Sequence, residues 1–352
     1  MDITPYLKLM VEKKASDLFF TVGAPVKIKL EGKTTSVGKT ELTSDIVEAV
    51  ARGIMNSRQQ DIFDAELEVD FAISLADKSA RFRVNVFRQR GEVALVLRLI
   101  PSEIPTVEQL GVPDILNELI MAKRGLLLMV GATGSGKSTT LAAMVDHRNE
   151  NQAGHILSIE DPVEFFHPNK RSIVNQREVG VDTKSYARAL KSSLREAPDV
   201  VLIGEIRDRE TMEAALELAN TGHLAISTLH ANNANQAMER VINMFSQDLH
   251  KQLYMDLSLN LRAVISQRLV PDVRGKRCAA VEIMISTPHI SELIMKGDIG
   301  AIKEAMHESG AKGMQTFDMS LYNLYKENRI TLEEALNNAD SRTNLEAKIN
   351  FG

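Results

Sequence analysis

The residues most able to do chemistry in this chain lie in one glycine-rich segment, Gly131–Ser138, which reads GATGSGKS. Its glycines, lysine and serine fit the pattern G-x-x-x-x-G-K-[ST] at every fixed position. Glycines spaced in this way let backbone N–H groups wrap a chain of phosphates, and a following helix adds the positive end of its dipole. Lys137 can reach the β- and γ-phosphates, and the Ser138 hydroxyl can hold Mg²⁺. The segment therefore predicts a nucleotide site.

The sequence on both sides of this loop has the pattern of the elements that must position it. A short apolar run, Leu126–Val130, has the length and the bounding glycine of a buried strand. The segment after the loop is rich in Ala, Leu and Met, as a helix is. The predicted ATP-binding residues are Gly131, Ala132, Thr133, Gly134, Ser135, Gly136, Lys137, Ser138 and Thr139.

Three further apolar runs, each followed by polar residues, come after this loop. They are His155–Ile159, Val200–Ile203 and Leu224–Leu229. Strands that alternate with helices form a parallel sheet, and ligands bind at the carboxyl ends of its strands. The polar residues after each run are therefore candidates for the same site.

Carboxylates follow the first two of these runs. Glu205 comes after the second run, where a carboxylate can orient Mg²⁺ and its waters. Glu160, Asp161 and Glu164 follow the first run, and the bend at Pro162 could turn Glu164 back toward the γ-phosphate to polarise a water. The alternative for both groups is an ordinary solvated acid after a strand.

Two histidines, His223 and His230, flank the third run. Their odd separation puts them on opposite faces of one strand, unless His223 lies outside it, so they make a poor joint metal site. His230 at the carboxyl end of the strand could hydrogen-bond the γ-phosphate. The alternative is that both histidines are structural.

Alternating segments on both sides of residue 90 predict a β-hairpin. If its loop is centred between Arg90 and Gly91, Arg83 falls directly opposite Arg98. Like charges so placed destabilise a sheet, and an anion between or in front of them would explain the pair. A bulge in the turn would instead shift the register and leave both arginines in solvent.

Composition and patterning together predict more than one domain. The predicted organisation is a small α+β domain at 1–100, a proline-rich linker at 101–113, an α/β domain at 114–285 and a helical region at 286–352. Thr331 and Glu334 form a capping-box pattern in the last of these.

The overall composition argues against several classes of protein. The chain has 352 residues, 44% of them hydrophobic and 25% charged, as in soluble globular proteins. A net charge of −5 argues against a nucleic-acid-binding surface, and one cysteine, Cys278, excludes a four-cysteine zinc site. We find no signal peptide and no run long enough to span a membrane, so we expect a cytoplasmic location and only a peripheral membrane role.

Four segments together resemble the motifs of the secretion ATPases that power type IV pili and type II secretion, and specifically the pilus-retraction branch, PilT and PilU. GATGSGKSTTLAAM is similar to the family's Walker A motif, SIEDPVEF to its Asp box, VLIGEIRD to its Walker B motif and TGHLAISTLHANNA to its His box. DLFFTVGAPVKIKLEG also resembles the opening of its PAS-like N-terminal domain. The resemblance covers essentially the whole chain.

This resemblance implies a RecA-like P-loop ATPase domain, preceded by a PAS-like α+β domain and followed by a helical tail, with ATP and Mg²⁺ as cofactors. It implies that Glu164 is the catalytic glutamate, that Glu205 is the Walker B carboxylate, and that His223 and His230 belong to the His box. The predicted catalytic set therefore has four members, which are Lys137, Glu164, Glu205 and His230.

The family also implies an assembly and a location. Its members are homo-hexamers that hold ATP between the two domains of each subunit, where N-domain arginines reach the nucleotide, and Arg83 and Arg98 would have that role here. The implied partner is the pilus platform protein, at the cytoplasmic face of the inner membrane.

Two departures indicate the branch. Assembly and type II secretion motors carry a tetracysteine zinc element, which one cysteine cannot supply. PilT-type members carry a C-terminal AIRNLIRE motif, and the corresponding segment, His289–Lys296, keeps little beyond Leu293 and Ile294. This points to the PilU side, acting with PilT. The alternatives are a nucleotide-binding accessory ring that docks on PilT and a DNA-handling RecA-like ATPase, for which we find no basic stripe.

Overall fold

The structure, a computed structural model, describes residues 1–30, 32–77, 79–101 and 103–351. The chain divides into two compact units. The first contains residues 1–103 together with 164–166, and the second contains residues 104–163 and 167–352.

The first unit is an antiparallel sheet with helices. In its described part the strands are β1 (Asp17–Thr21), β2 (Lys27–Leu30), β3 (Lys33–Ser36), β4 (Glu68–Ser74), β5 (Arg81–Gln89) and β6 (Glu92–Ile100), and the helices are α1 (Thr4–Lys13), α2 (Ser44–Ile54) and α3 (Ser57–Glu66). The strand order is β3-β2-β1-β6-β5-β4. Alternate residues of β5, Phe82, Val84 and Val86, are buried. The α+β prediction for this region is confirmed.

The predicted hairpin is β5–β6, and its register follows from its turn. Arg90 and Gly91 have φ of 50° and 80°. Positive φ at both central residues is the type I′ geometry, which matches the twist of a hairpin. Arg83 therefore pairs with Arg98, as predicted, and the turn contains no bulge.

The second unit is built on a mainly parallel sheet. Its described strands are β7 (Gly125–Val130), β8 (Gly154–Glu160), β9 (Ser172–Glu178), β10 (Val200–Ile203), β11 (Leu224–Leu229), β12 (Leu261–Pro271) and β13 (Arg277–Ile285), in the order β13-β12-β7-β11-β10-β8-β9. Only the β12–β13 pairing is antiparallel among these. The α/β class predicted for this domain is confirmed.

Helices pack around this sheet and continue to the C-terminus. They are α4 (Val107–Leu110), α5 (Ile115–Ile120), α6 (Lys137–Asn151), α7 (Tyr186–Ser193), α8 (Arg209–Asn220), α9 (Ala234–Asn243), α10 (His250–Asn260), α11 (Pro288–Lys296), α12 (Ile302–Glu308), α13 (Phe317–Lys326), α14 (Leu332–Asn338) and α15 (Arg342–Phe351). The predicted helical tail is confirmed, and the Thr331 side chain caps α14 by accepting from the Glu334 N–H. No helix in the described ranges is long and apolar enough to cross a membrane.

The predicted linker, 101–113, contains the short helix α4, and Ser102 lies outside the described residues. The boundary between the two units falls inside this segment, after Glu103. The predicted domain bounds themselves stay a prediction.

Strand β7 shows why the run before the phosphate loop is apolar at every position. Leu126, Leu128 and Val130 belong to one hydrophobic cluster, and Leu127 and Met129 belong to another. A central parallel strand is covered by helices on both faces, so neither face can be polar. The strand therefore fixes the start of the loop that follows it.

Candidate nucleotide-binding site

The phosphate loop connects β7 to α6, in the order that phosphate binding requires. Gly131 has φ of 152° and Gly136, the residue before the first turn of α6, has φ of 86°. A Cβ at Gly131 would lie 2.5 Å from the backbone oxygen of Gln267, and one at Gly136 would lie 2.7 Å from its side-chain nitrogen. Both glycines are therefore required by backbone conformation and by space. The loop ends at the N-terminus of a 15-residue helix, which favours an anion.

Lys137 is a buried cation whose partners are neutral. Its Nζ donates to the backbone oxygens of Gly131 and Ala132, at 2.7 and 2.8 Å. Burial lowers the pKa of Lys137, and the nearby charge of Glu205 opposes that shift. No carboxylate forms a salt bridge with this ammonium in the part of the chain that the structure describes. Its positive charge is therefore available to a ligand.

The hydroxyls of the loop and of the first turn of α6 differ in exposure. Ser138 is exposed and Thr139 is half-buried, so both can meet a ligand or its metal ion. Ser135 is buried, and its Oγ has no hydrogen-bond partner in the part of the chain that the structure describes. Thr133 and Gly134 are exposed at the tip of the loop.

Glu205 and His230 meet at the edge of the sheet where β10 and β11 end. His230 Nε2 lies 3.1 Å from Glu205 Oε1, and Arg207 Nε lies 2.7 Å from Glu205 Oε2. The Glu205 side chain is 14% exposed. A cavity of about 430 Å³ is lined by His230 together with Gly131 and Ala132 of the phosphate loop. The structure thus brings these predicted residues together at one edge.

His223 lies at the other end of β11, where the strand begins. Strand β11 begins at Leu224, and the His223 backbone oxygen accepts from Gly125, the first residue of β7. Its Nδ1 is 3.2 Å from the Leu218 backbone oxygen. Six strand residues separate the two histidines, a span of roughly 20 Å. The structure therefore does not bring His223 to the phosphate loop of its own unit.

The carboxylates after β8 are divided between the two units. Glu160 is buried at the end of β8 and accepts from Gln176 Nε2 at 3.3 Å, and Asp161 is exposed and precedes a cis peptide bond to Pro162. Glu164 belongs to the first unit, together with Phe165 and Phe166. The chain returns to the second unit at His167, whose N–H donates to Gln176 Oε1.

Each arginine of the hairpin already has a carboxylate near it. Arg98 Nε donates to Asp17 Oδ1 at 2.8 Å, and Asp17 is directly opposite Arg98 on β1. Arg83 Nη2 lies 3.7 Å from Asp70 Oδ2. Acidic residues in the neighbouring strands β1 and β4 therefore compensate the facing guanidiniums. An anionic ligand is not needed to explain the pairing.

Sequence reasoning missed Gln267, which lies beside the phosphate loop on β12. Its side chain bonds to Ser135 and Thr140, and with Arg268 it lines a cavity of about 280 Å³ next to the loop. The available signal was a pair of polar residues, Ser266 and Gln267, directly after the buried apolar position Ile265 of the strand. Nothing in the sequence indicated which loop that residue would contact.

Comparisons with known proteins show which family the chain resembles. A family model described as Type II/IV secretion system protein matches residues 1–313. Type IV pilus ATPase PilU of Pseudomonas aeruginosa is 51% identical over 353 aligned positions, which cover 100% of this chain and 92% of that protein. Type IV pilus retractation ATPase PilT of the same organism is 43% identical, covering 95% of this chain and 97% of that protein.

A solved structure is similar over nearly the whole length. The crystal structure of the pilus retraction motor PilT with bound ADP matches with a TM-score of 0.91 and 40% identity. The match covers 98% of this chain and 99% of that one.

Proposed function

Since this chain belongs to the Type II/IV secretion system protein family, with PilU and PilT among its relatives, we propose that it hydrolyses ATP to drive or assist retraction of type IV pili. It is a PilT/PilU-type ATPase of the pilus-retraction kind. The observation that carries the proposal is the phosphate loop, whose buried Lys137 donates to two carbonyl oxygens beside the Glu205–His230 pair.

The residues at this edge suit a triphosphate and its metal ion. The N–H groups at the start of α6 and the ammonium of Lys137 would bind the phosphates and stabilise the charge that develops on the γ-phosphoryl group. The Ser138 hydroxyl and the Glu205 carboxylate are oxygen donors, the kind that Mg²⁺ prefers, and they would hold it. When bound, Mg²⁺ would neutralise phosphate charge. His230, whose Nε2 lies 3.1 Å from Glu205 Oε1, would hydrogen-bond the γ-phosphate and so link its presence to Glu205.

We assign the remaining predicted residues by the same proposal. Glu164 would orient the attacking water as the general base, and Glu160 and Asp161 would support it at the end of β8. Arg83 and Arg98 would reach nucleotide only after exchanging their carboxylate partners for phosphate. His223 would have its role at the start of β11, away from the phosphate loop of its own unit.

The assembly that we propose is a homo-hexamer of two-domain subunits, at the cytoplasmic face of the inner membrane. Its partners would be the pilus platform protein and PilT, with no nucleic acid. The family resemblance and the 51% identity to a PilU support this proposal.

A second function is favoured by one observation, the altered C-terminal segment in α11. This helix, Pro288–Lys296, keeps little of the AIRNLIRE pattern. The chain would then be an accessory ring that binds nucleotide and docks on PilT with little motor activity of its own.

Pilus retraction in cells that carry Lys137→Ala in place of the native gene separates these functions. We expect retraction to be impaired while purified hexamers stay intact, because the ring would assemble without the phosphate-binding ammonium. Retraction at the wild-type level would overturn the motor proposal and favour the accessory ring.

A further inference from the structure

The phosphate loop rests on one buried side chain that comes from a distant part of the sequence. Gln267 is 2% exposed, on β12. Its Nε2 donates to the Ser135 backbone oxygen at 2.9 Å, and its Oε1 accepts from the Thr140 hydroxyl at 2.8 Å. Burying an amide group costs free energy unless the group is hydrogen-bonded. Here the nitrogen of the Gln267 amide is hydrogen-bonded to the loop, and its oxygen is hydrogen-bonded to the helix that follows the loop.

The two flanking glycines of the loop lie directly against the same residue. A Cβ at Gly131 would meet the Gln267 backbone oxygen, and a Cβ at Gly136 would meet its side-chain nitrogen, both within 3 Å. No side chain can therefore stand between the loop and Gln267 at either glycine. Because Ser266 pairs with Val130, Gln267 comes level with the first residue of the loop.

These contacts fix the orientation of a peptide unit that would bind phosphate. In a trans peptide the C=O and the N–H point in opposite directions. The bond from Gln267 Nε2 holds the Ser135 carbonyl toward β12, so the N–H of Gly136 in the same peptide is turned away from it. That N–H is one of the donors at the start of α6.

The strand that carries Gln267 is itself anchored on its other side. The next residue, Arg268, donates to Asp340 Oδ1 at 2.8 Å and to the Asn338 backbone oxygen at 3.1 Å. Its guanidinium carbon lies 3.9 Å from the centroid of the Phe317 ring. Strand β12 also pairs with β13 beyond this point, up to Pro271 with Arg277. Gln267 therefore extends from a rigid position.

We propose that Gln267 is a positioning residue that holds the phosphate loop in its binding conformation before nucleotide arrives. It acts through the Ser135 carbonyl and the Thr140 hydroxyl and does not touch the phosphates itself. This inference rests on the proposed nucleotide site.

The test compares nucleotide binding in Gln267→Met with that in Gln315→Met. Methionine keeps the volume of glutamine and removes its hydrogen bonds. Gln315 is a matched control, because its Nε2 also donates to a backbone oxygen, at 2.8 Å, but that oxygen belongs to Val281 on β13 and not to the phosphate loop. Binding of Mg-ADP is measured by fluorescence titration, and the thermal midpoint is measured with and without Mg-ADP.

We expect Gln267→Met to bind Mg-ADP about tenfold more weakly, because a loosened loop loses pre-organised donors. Gln315→Met should lower the midpoint without nucleotide but keep the wild-type affinity. A purely structural role for Gln267 would make the two variants alike, with affinities within twofold of wild type, and would overturn the proposal.

A second variant keeps the test decisive if Gln267→Met fails to fold. Thr140→Val removes only the bond at the helix side, and we expect a weaker loss of affinity in the same direction. An unchanged affinity would contradict the inference. If the wild-type chain binds no Mg-ADP at all, the proposed nucleotide site fails first, so the two failures are distinguishable.

Discussion

The hairpin of the first unit and the phosphate loop of the second both carry cationic side chains, but these side chains have different kinds of partner. Arg98 and Arg83 lie beside the carboxylates of Asp17 and Asp70, at 2.8 and 3.7 Å. Lys137 is held by two neutral carbonyl oxygens. A guanidinium paired with a carboxylate adds little net charge, whereas a cation among dipoles keeps its charge for an anionic ligand. The charge available to phosphate therefore lies in the loop.

A second buried cation on the same helix shows that carbonyl partners do not by themselves make a site. Arg148 is 2% exposed, and its Nη1 donates to the backbone oxygens of Ile120 and Ala122 at 2.7 and 2.8 Å. Those oxygens belong to the end of α5 and the residues after it, so Arg148 caps a helix. Lys137 differs because its carbonyls belong to a glycine loop at a helix N-terminus.

The largest effect should come from Lys137→Met. We expect ATP hydrolysis to fall roughly 100- to 1000-fold, because a preorganised cation at the γ-phosphoryl group is lost. The free energy of unfolding should fall by less than in Arg148→Met, because one of the two carbonyls that lose their donor belongs to the exposed Ala132 and can bond to water instead. A steady-state assay together with urea unfolding measures both. A rate of hydrolysis within threefold of the wild-type rate would show that Lys137 is not part of the active site.

Arg148→Met should show the reverse pattern. One buried and one half-buried carbonyl lose their donor, so the free energy of unfolding should fall by about 3 kcal/mol. The affinity for Mg-ADP should stay at the wild-type value, measured at a temperature where the variant is folded. A loss of affinity for Mg-ADP in folded Arg148→Met would show that Arg148, like Lys137, contributes to nucleotide binding.

A third buried base, His167, has an Nδ1 with no hydrogen-bond partner among the described residues. Burial, opposed by Asp146 and aided by Lys170, lowers the pKa of His167 to about 4. The unfolded chain then binds the extra proton between about pH 6.5 and 4, so stability rises with pH through that window.

When the pH falls from 6.5 to 5, the wild type should lose about 2 kcal/mol of unfolding free energy because of this histidine. The variant His167→Gln should not show that loss. Urea unfolding at several pH values measures the difference. Exposed His289→Gln is the control and should keep the wild-type slope. Equal slopes in all three proteins would mean that His167 titrates normally.

The smallest effect should come from Arg98→Gln. The Arg98 side chain is 70% exposed, so losing its pair with Asp17 should cost only about 1 kcal/mol of unfolding free energy. If Arg98 reaches nucleotide in the assembled ring, hydrolysis should fall more than this stability loss explains. Unchanged hydrolysis would leave the hairpin arginines with a purely structural role.

The phosphate loop could be predicted because its residues are contiguous and its chemistry dictates their spacing. The register of Arg83 with Arg98 could also be predicted, because a two-residue turn fixes a hairpin. Their carboxylate partners could not, since Asp17 meets Arg98 across 81 positions of sequence.

Other parts of the site were hidden for similar reasons. The odd spacing of His223 and His230 indicated opposite faces of a strand unless His223 lay outside it, and both histidines lie outside β11, at its two ends. Gln267 contacts Ser135 across 132 positions, and no local pattern identifies such a contact. Membership of a motif named candidate residues for the site, but it gave no distances between them.

The most direct test of the account is the steady-state ATPase activity of the purified chain, beside Glu164→Gln, with and without PilT. We predict that the chain hydrolyses ATP alone and that Glu164→Gln abolishes hydrolysis while still binding Mg-ADP. No hydrolysis by the wild-type chain in either condition, with nucleotide still bound, would contradict the motor and leave an accessory ring.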